Sequence, residues 1–317
     1  VNLLHAEARR LVARRFVQLM VVLLIGTCLI AVVSTVASSH TPTDAELREA
    51  TEQAATNYGY ARQDYEMCRT QRPGATCVAP DPADFRPEDQ LYGTFVFARE
   101  ISGLVYFVAA FLSLFGFLVG ASFVGAEMSS GGLTNLLLWR PRRPLVLGAK
   151  LAVAVGAVLA LSVVVTVAYI AAFWGVSTVS GFSGDTSGTF WPDLVLITVR
   201  ALLLVLGATV VGFSLAALGR HTAAALGVVA AYVVLWEIGL RIVLTTVETP
   251  KADQWMLSSY LAAFVNGRVT LWNSACATPD CTAEYVLTWV DGTLVGGAVT
   301  VLTAVAAFVL TQRRDMA

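Results

Sequence analysis

Apolar residues gather in six long runs, at about residues 16–38, 103–124, 151–174, 194–218, 223–247 and 292–310. Each is close to the ~20 residues that a helix needs to cross a bilayer. The pattern predicts an all-α integral membrane protein with six transmembrane helices, organised as one membrane domain over residues 1–317. An even number of spans leaves both termini on the same side.

The polar stretches between the runs have patterns of their own. Residues 1–15 place Leu4, Ala8, Leu11 and Val12 at i, i+4, i+7 and i+8, with Arg9, Arg10 and Arg14 largely elsewhere around the helix. This predicts an amphipathic interfacial helix on the inner membrane surface; a plain cytoplasmic extension of the first span is the alternative. Segment 39–102 is too long for a simple connector and lacks the apolar residues of a core. In its first half, a Thr or Asp cap before an Ala- and Glu-rich run predicts a helix from about Asp44 to Arg69. The four prolines of "RPGATCVAPDPADFRPEDQ" predict irregular chain after it. In segment 248–291, "DQWMLSSYLAAFVNGRVTLW" is moderately apolar and too short to cross twice. Trp255, Tyr260, Phe264 and Trp272 are residue types found at membrane interfaces, so a short interfacial or re-entrant helix is expected there.

Composition agrees with this reading, since 56% of the 317 residues are hydrophobic, only 14% are charged, and the mean hydropathy is +0.69. The net charge of −1 hides an asymmetry. Segments on the side of the termini carry eleven basic residues against Glu7, Glu127 and Asp315, whereas the three opposite loops carry eight basic and eighteen acidic residues. The positive-inside rule then places both termini in the cytoplasm. Cysteines point the same way: Cys68 and Cys77 in the first outer segment, and Cys276 and Cys281 in the third, are close enough in sequence to form two local disulfides in an oxidising compartment. The first apolar run is too long for a secretory signal, so an uncleaved anchor is expected. With the initial valine read as a GTG start, the expected location is a bacterial cytoplasmic membrane.

One stretch does not fit a plain connector. "GAEMSSGGLTNLLLWRPRRPLVLGAK", residues 125–150, is glycine-rich and basic between two apolar runs. Ser129 or Ser130 can cap a helix, Leu133, Leu136 and Leu137 give it one apolar face, and Pro141 ends it. A helix of about ten residues with a basic end can dock in a groove of a soluble partner, anchored by Leu136, Leu137 and Trp139. It can equally lie among lipid headgroups with its arginines on anionic lipid.

At these residues the chain resembles the loop between the second and third spans of ABC transporter permeases of the type-2 exporter class. The family shows a Glu, a Gly four residues on, a Leu pair, then Pro and Arg, and a Lys opening the next span. Here these are Glu127, Gly131, Leu136, Leu137, Pro141, Arg143 and Lys150. Gly132 stands where the family usually has Thr or Ser, and the first outer loop is longer than in many members. The resemblance implies that 125–143 is a cytoplasmic coupling helix. Glu127, Gly131, Leu133, Leu136, Leu137, Trp139, Arg140, Pro141, Arg142 and Arg143 would then contact an ATP-binding cassette ATPase subunit. No phosphate-binding loop of the form G-x-x-x-x-G-K-[ST] occurs in these residues, so ATP and Mg would belong to that partner. A second permease subunit, identical or related, is implied as well.

Three ionisable residues fall inside apolar runs, Arg200, Glu237 and Arg241, and such residues are expensive in a membrane. Arg200 and Glu237 come to similar depth, and Glu237 and Arg241 stand at i, i+4, so one acid is placed to bridge both arginines. This is either a structural ion pair or a polar gate on the substrate path. Gly292 and Gly296 form a G-x-x-x-G that suits close helix packing. His5, His40 and His221 are too scattered for a metal site, no catalytic group is evident, and nothing suggests a nucleic-acid surface. The expected function is the permease subunit of an ABC exporter; its substrate is left open, the mainly aliphatic spans leaning only slightly toward an amphipathic drug or a lipid. A scaffold or sensor that recruits a cytoplasmic protein and an ion-coupled carrier using Glu237 are the rivals.

Overall fold

A computed structural model describes residues 2–71, 77–132, 143–273 and 284–313. Helix α1 covers Asn2–Val12, α2 Arg15–Ser38, α3 Asp44–Gln71, α4 Phe97–Ser129, α5 Arg143–Ser180 and α6 Phe190–Gly219. Then come α7 (Thr222–Tyr232), a π-helical stretch (Val233–Leu240), α8 (Arg241–Thr246), α9 (Leu257–Asn266) and α10 (Trp289–Arg313). Among the described residues, six helical stretches are long and apolar enough to cross a membrane, with α7, the π stretch and α8 together forming the fifth. They match the six apolar runs but extend beyond them by up to about eight residues, because hydrogen bonding continues where hydropathy has already fallen.

The chain divides into two compact units. The first takes in Val1–Gly26, Val105–Thr166 and Leu194–Ala317. Its interior is built on a seam of small residues between α4 and α6. A Cβ on Gly116 would collide with the Thr209 hydroxyl, and one on Gly120 with the Thr209 carbonyl oxygen, while lying 3.1 Å from the Phe213 nitrogen. From the other side, a Cβ on Gly212 would meet the Phe117 backbone. Where lipid surrounds the helices there is little hydrophobic drive to bring them together, so close backbone approach and dispersion supply the attraction. Phe117, Ala121, Val124, Leu147, Phe213 and Ala216 fill the space around this seam. Of the α4 window, 56% is buried inside the protein, against 6% for the fifth and sixth spans, whose outward faces meet the hydrocarbon.

In the same unit the stretch expected to be a single short helix is composite. A 3-10 turn at Ala252–Trp255 precedes the α-helix Leu257–Asn266; Gly267, at φ +88°, then turns the chain into β3 (Arg268–Trp272), which pairs antiparallel with β4 (Glu284–Thr288). The all-α expectation is corrected to this extent. The β-branched and aromatic residues of "RVTLW" and "EYVLT" favour strand. The G-x-x-x-G of α10 packs as its spacing predicts, with Gly292 against Tyr260 and Phe264 of α9 and Gly296 against Leu261.

The second unit comprises Thr27–Leu104 and Val167–Asp193. Its helix α3 begins where the sequence places it, through a capping box. Glu46 accepts from the Thr43 backbone nitrogen at 2.7 Å, and the Glu46 nitrogen donates to Thr43 Oγ1 at 3.3 Å. The Thr43 backbone N–H and the Thr43 hydroxyl, which donates at 2.9 Å, together with His40 hold the Glu46 carboxyl down at about 2 against an ordinary 4.5. Ala50 and Ala54 of α3 are buried, and Ala50 packs with Leu91 and Val96. Cys68 and Cys77 form a disulfide at a Cα separation of 6.1 Å, and Tyr58 meets Phe85 edge to face. The Cys276–Cys281 pair lies outside the described residues. Two-residue strands β1 (Phe95–Val96) and β2 (Gly181–Phe182) pair in parallel, and buried Phe97 packs against Trp174, Phe190 and Trp191.

Two outcomes follow from this packing. Gly120→Leu should lower the apparent melting temperature of the detergent-purified protein strongly, by more than Gly103→Leu, since nothing lies within 4 Å of a Cβ at Gly103. For the capping box, the depressed carboxyl means its stabilisation is present above pH 4.5 and is lost as pH falls towards 2. Thr43→Ala should move the Glu46 titration, followed by carbon NMR, up towards 4.5.

Candidate coupling site

Helix α1 has one acid among its arginines, Glu7, and places it on the face that packs inward with Leu11; these are 1% and 2% exposed. Leu4 and Val12, expected on the membrane-facing stripe, are exposed. Arg14 sits in the short break between α1 and α2. Helix α4 brings Phe123 and Glu127 to the same place one turn apart, and α5 brings Lys150 two turns from its start.

These side chains form one alternating chain of charge. Lys150 Nζ donates to Glu7 Oε2 at 2.5 Å and stands 2.6 Å from Glu127 Oε2. Arg14 Nη2 donates to Glu127 Oε1 at 2.6 Å, and its Nη1 to the Ser122 carbonyl oxygen at 2.9 Å. Arg10 completes the line on the far oxygen of Glu7 at 3.2 Å. The Phe123 ring lies beneath both central cations, 4.9 Å from Lys150 Nζ and 5.0 Å from Arg14 Cζ, and is fully buried.

Burial sets the energetics. The Lys150 side chain is 0% exposed, Glu7 1%, Glu127 16% and Arg14 21%. A lone ammonium there would lose its hydration with no return, so it is tolerated because two carboxylates and a ring face surround it. The two acids are balanced in turn by Lys150, Arg14 and Arg10. Buried clusters of this kind add little net stability over an apolar core, but removing one member strands the others. The three elements are therefore tied into one joint.

This joint flanks the segment that resembles a coupling helix. Glu127 lies near its start and Lys150 seven residues after its end. Gly131, at φ +72°, takes the left-handed conformation that ends α4, and the Ser129 and Ser130 hydroxyls donate back to the Ala126 and Glu127 carbonyls. Leu133, Leu136, Leu137, Trp139, Arg140, Pro141 and Arg142 lie outside the described residues, and Arg143 is described only as the first residue of α5.

A family model described as "ABC-2 family transporter protein" matches residues 1–316. The chain belongs to the ABC-2 transporter family. It is thus a membrane permease of an ABC transporter and a transport component rather than a catalyst. No curated protein and no solved structure matches the chain.

In this permease the three charges inside the spans do not form the cluster expected of them. The Glu237 carboxylate accepts from Ser258 N at 3.1 Å and Ser258 Oγ at 2.7 Å, so it caps α9, and from Tyr232 Oη at 2.7 Å. The π-helical stretch accounts for the last bond. An i→i+5 winding carries Glu237 back over Tyr232, which a regular α-helix would leave on a different face. Arg241 pairs with Asp253 at 2.8 Å, and the Arg200 guanidinium lies 5.6 Å from the Trp289 ring centroid. The expected bridge of Glu237 to Arg200 and Arg241 is therefore replaced by three separate contacts. The reason is the fold of segment 248–291, which supplies Asp253, Ser258 and Trp289 as nearer partners.

Sequence reasoning found Glu127 and Lys150 as isolated motif positions and missed Glu7, Arg14 and Phe123. The available signal was a single acid on the inward face of an otherwise basic helix. Replacing Lys150 by Met should destabilise the permease by ~3–5 kcal/mol, since two carboxylates lose their shared cation. A Glu7→Gln, Lys150→Met double variant should lose less than the sum of the two single variants when unfolding is followed by thermal shift.

Proposed function

We propose that this permease works in an ABC exporter of a bacterial cytoplasmic membrane, paired with a second permease subunit, identical or related, above two ATP-binding subunits. The termini and the 125–143 segment face the cytoplasm, in keeping with the excess of arginine on that side of the six spans. Loops 39–102 and 248–291 face the oxidising exterior, where the Cys68–Cys77 bond is stable. The exposed Leu4 and Val12 stripe of α1 lies in the inner membrane surface while Glu7 and Leu11 hold the helix to the protein.

The observation that carries this reading is Lys150 bridging Glu7 and Glu127 at the base of the segment that resembles a coupling helix. Closure of the ATPase dimer on ATP and Mg would press on residues 129–143. Because Glu127 and Lys150 stand at either end of that segment and share one buried joint, the displacement passes to α1, α4 and α5 together. A push on a loosely attached loop would instead be absorbed by bending. Beyond the joint, α4 transmits the movement to α6 through the Gly116, Gly120 and Gly212 seam, where backbones touch and leave no slack. The spans then reorganise a path between the two permeases, and ATP-bound partners favour its outward-facing form through their greater affinity for that state.

The test is co-purification from the native host. The tagged full chain should bring down an ATP-binding cassette ATPase, and Leu136→Asp with Leu137→Asp should lose it while the chain stays monodisperse. A wild-type chain that purifies intact without an ATPase would instead make it a scaffold or a carrier.

A further inference from the structure

A cavity of about 480 Å³ lies between α4, α6, α7, α9 and α10 in the first unit. Its walls are almost wholly hydrocarbon, with Leu203, Gly207, Val211, Leu261, Phe264 and Gly296 prominent. Glycine keeps it open: a Cβ on Gly207 would already touch Thr300 and one on Gly296 would touch Leu261, each at 3.4 Å. Four of the five lining helices belong to membrane spans.

Arg200 does not line this groove but flanks one end of it. Arg200 stands one helical turn before the lining residues Leu203 and Leu204. Its guanidinium is seated between the Trp289 ring and Gly267, where a Cβ would come within 2.8 Å of Nη1. Both seat residues adjoin the groove, Gly267 three residues after Phe264 and Trp289 three before Gly292. Among the described residues no carboxylate stands within ion-pair distance of Arg200. Asp193, the nearest acid along the chain, stands seven residues away in the first turn of α6, and Asp291, two residues after Trp289, is engaged in capping α10, accepting from Thr288 N at 2.9 Å and Thr288 Oγ1 at 2.7 Å. Glu237 and Asp253 are taken by Ser258 and Arg241. A cation within a span normally finds a counter-charge, and an apolar cavity of this size suits an alkyl chain.

We infer that this groove binds an anionic amphiphile, its alkyl chain lying along Leu203–Val211 and Leu261 and its phosphate or carboxylate on Arg200. A resident anionic membrane lipid and an exported anionic amphiphile share this chemistry. The site rests on the groove and Arg200, independently of the export reading.

The test uses the full chain in phosphatidylcholine nanodiscs doped with phosphatidylglycerol or phosphatidylcholine carrying a photoactivatable group in the acyl chain. Peptide mapping should place the label in 203–211 and 257–264, with phosphatidylglycerol favoured about fivefold, the worth of roughly one basic residue against an anionic group. Arg200→Gln should abolish that preference while the groove still labels, and Gly207→Leu should remove groove labelling by either lipid. On the unaltered protein, dodecyl phosphate should displace the label at lower concentration than dodecyltrimethylammonium, which keeps the test independent of how the variants fold. Equal labelling by both lipids, or label confined to α2 and α7 outside the groove, would overturn the inference. With the ATPase partner added, label released on ATP identifies an exported amphiphile and label retained identifies a resident lipid; both uphold the site.

Discussion

A lysine with no exposed surface keeps its charge only if the protein replaces the whole of its hydration. At Lys150 that replacement comes from Glu7 on α1, Glu127 on α4 and the face of Phe123, so the three helices cannot separate without leaving ions stranded. Arg14 extends the constraint to the break between α1 and α2. The geometry of the terminal side of the first unit follows from this cluster: α1 lies where Glu7 can reach Lys150, and α4 and α5 enter and leave residues 130–142 from one fixed point. A coupling device needs that property, because a force applied to the segment is useful only if its base does not yield.

The second constraint is mechanical rather than electrostatic. Between α4 and α6, glycines bring backbone against backbone, so side-chain rotation cannot take up a shift of one helix relative to the other. The charge cluster and the glycine seam both fasten α4 to its neighbours, in keeping with its being the most buried of the six spans. The spans with little internal burial are free to exchange neighbours, whether lipid or another subunit.

The charges within the spans show how a protein avoids costly pairs. The Glu237 carboxylate is held by hydrogen bonds from a helix start, a serine and a tyrosine made reachable by π winding; Arg241 is paired near the end of its span; Arg200 rests on an aromatic ring. Each solution is local, and each draws on residues 253–289, so that segment does more than connect the fifth and sixth spans. It holds the acid and one base in place and leaves the other base beside an apolar groove.

What the sequence determined by itself was everything governed by near neighbours and by transfer into hydrocarbon. The six spans follow from run length, α3 from its Thr43–Glu46 box and alanine-rich body, and the α9–α10 contact from the Gly292–Gly296 spacing. The nine-residue separation of Cys68 and Cys77 likewise allowed their bond. Family membership was legible in Glu127, Gly131, Pro141 and Lys150, but the role of Glu127 as an internal ion-pair partner was not. Only the tertiary structure decided which charges meet. Lys150 and Glu7 are 143 positions apart, and their pairing depends on how α1 folds back on α4 and α5. The same holds for the expected Arg200, Glu237 and Arg241 cluster: equal depth in the membrane fixes one coordinate of a side chain, whereas contact requires all three. Those are set by helix rotation, the π turn and the fold of an intervening segment whose strands hydropathy does not reveal.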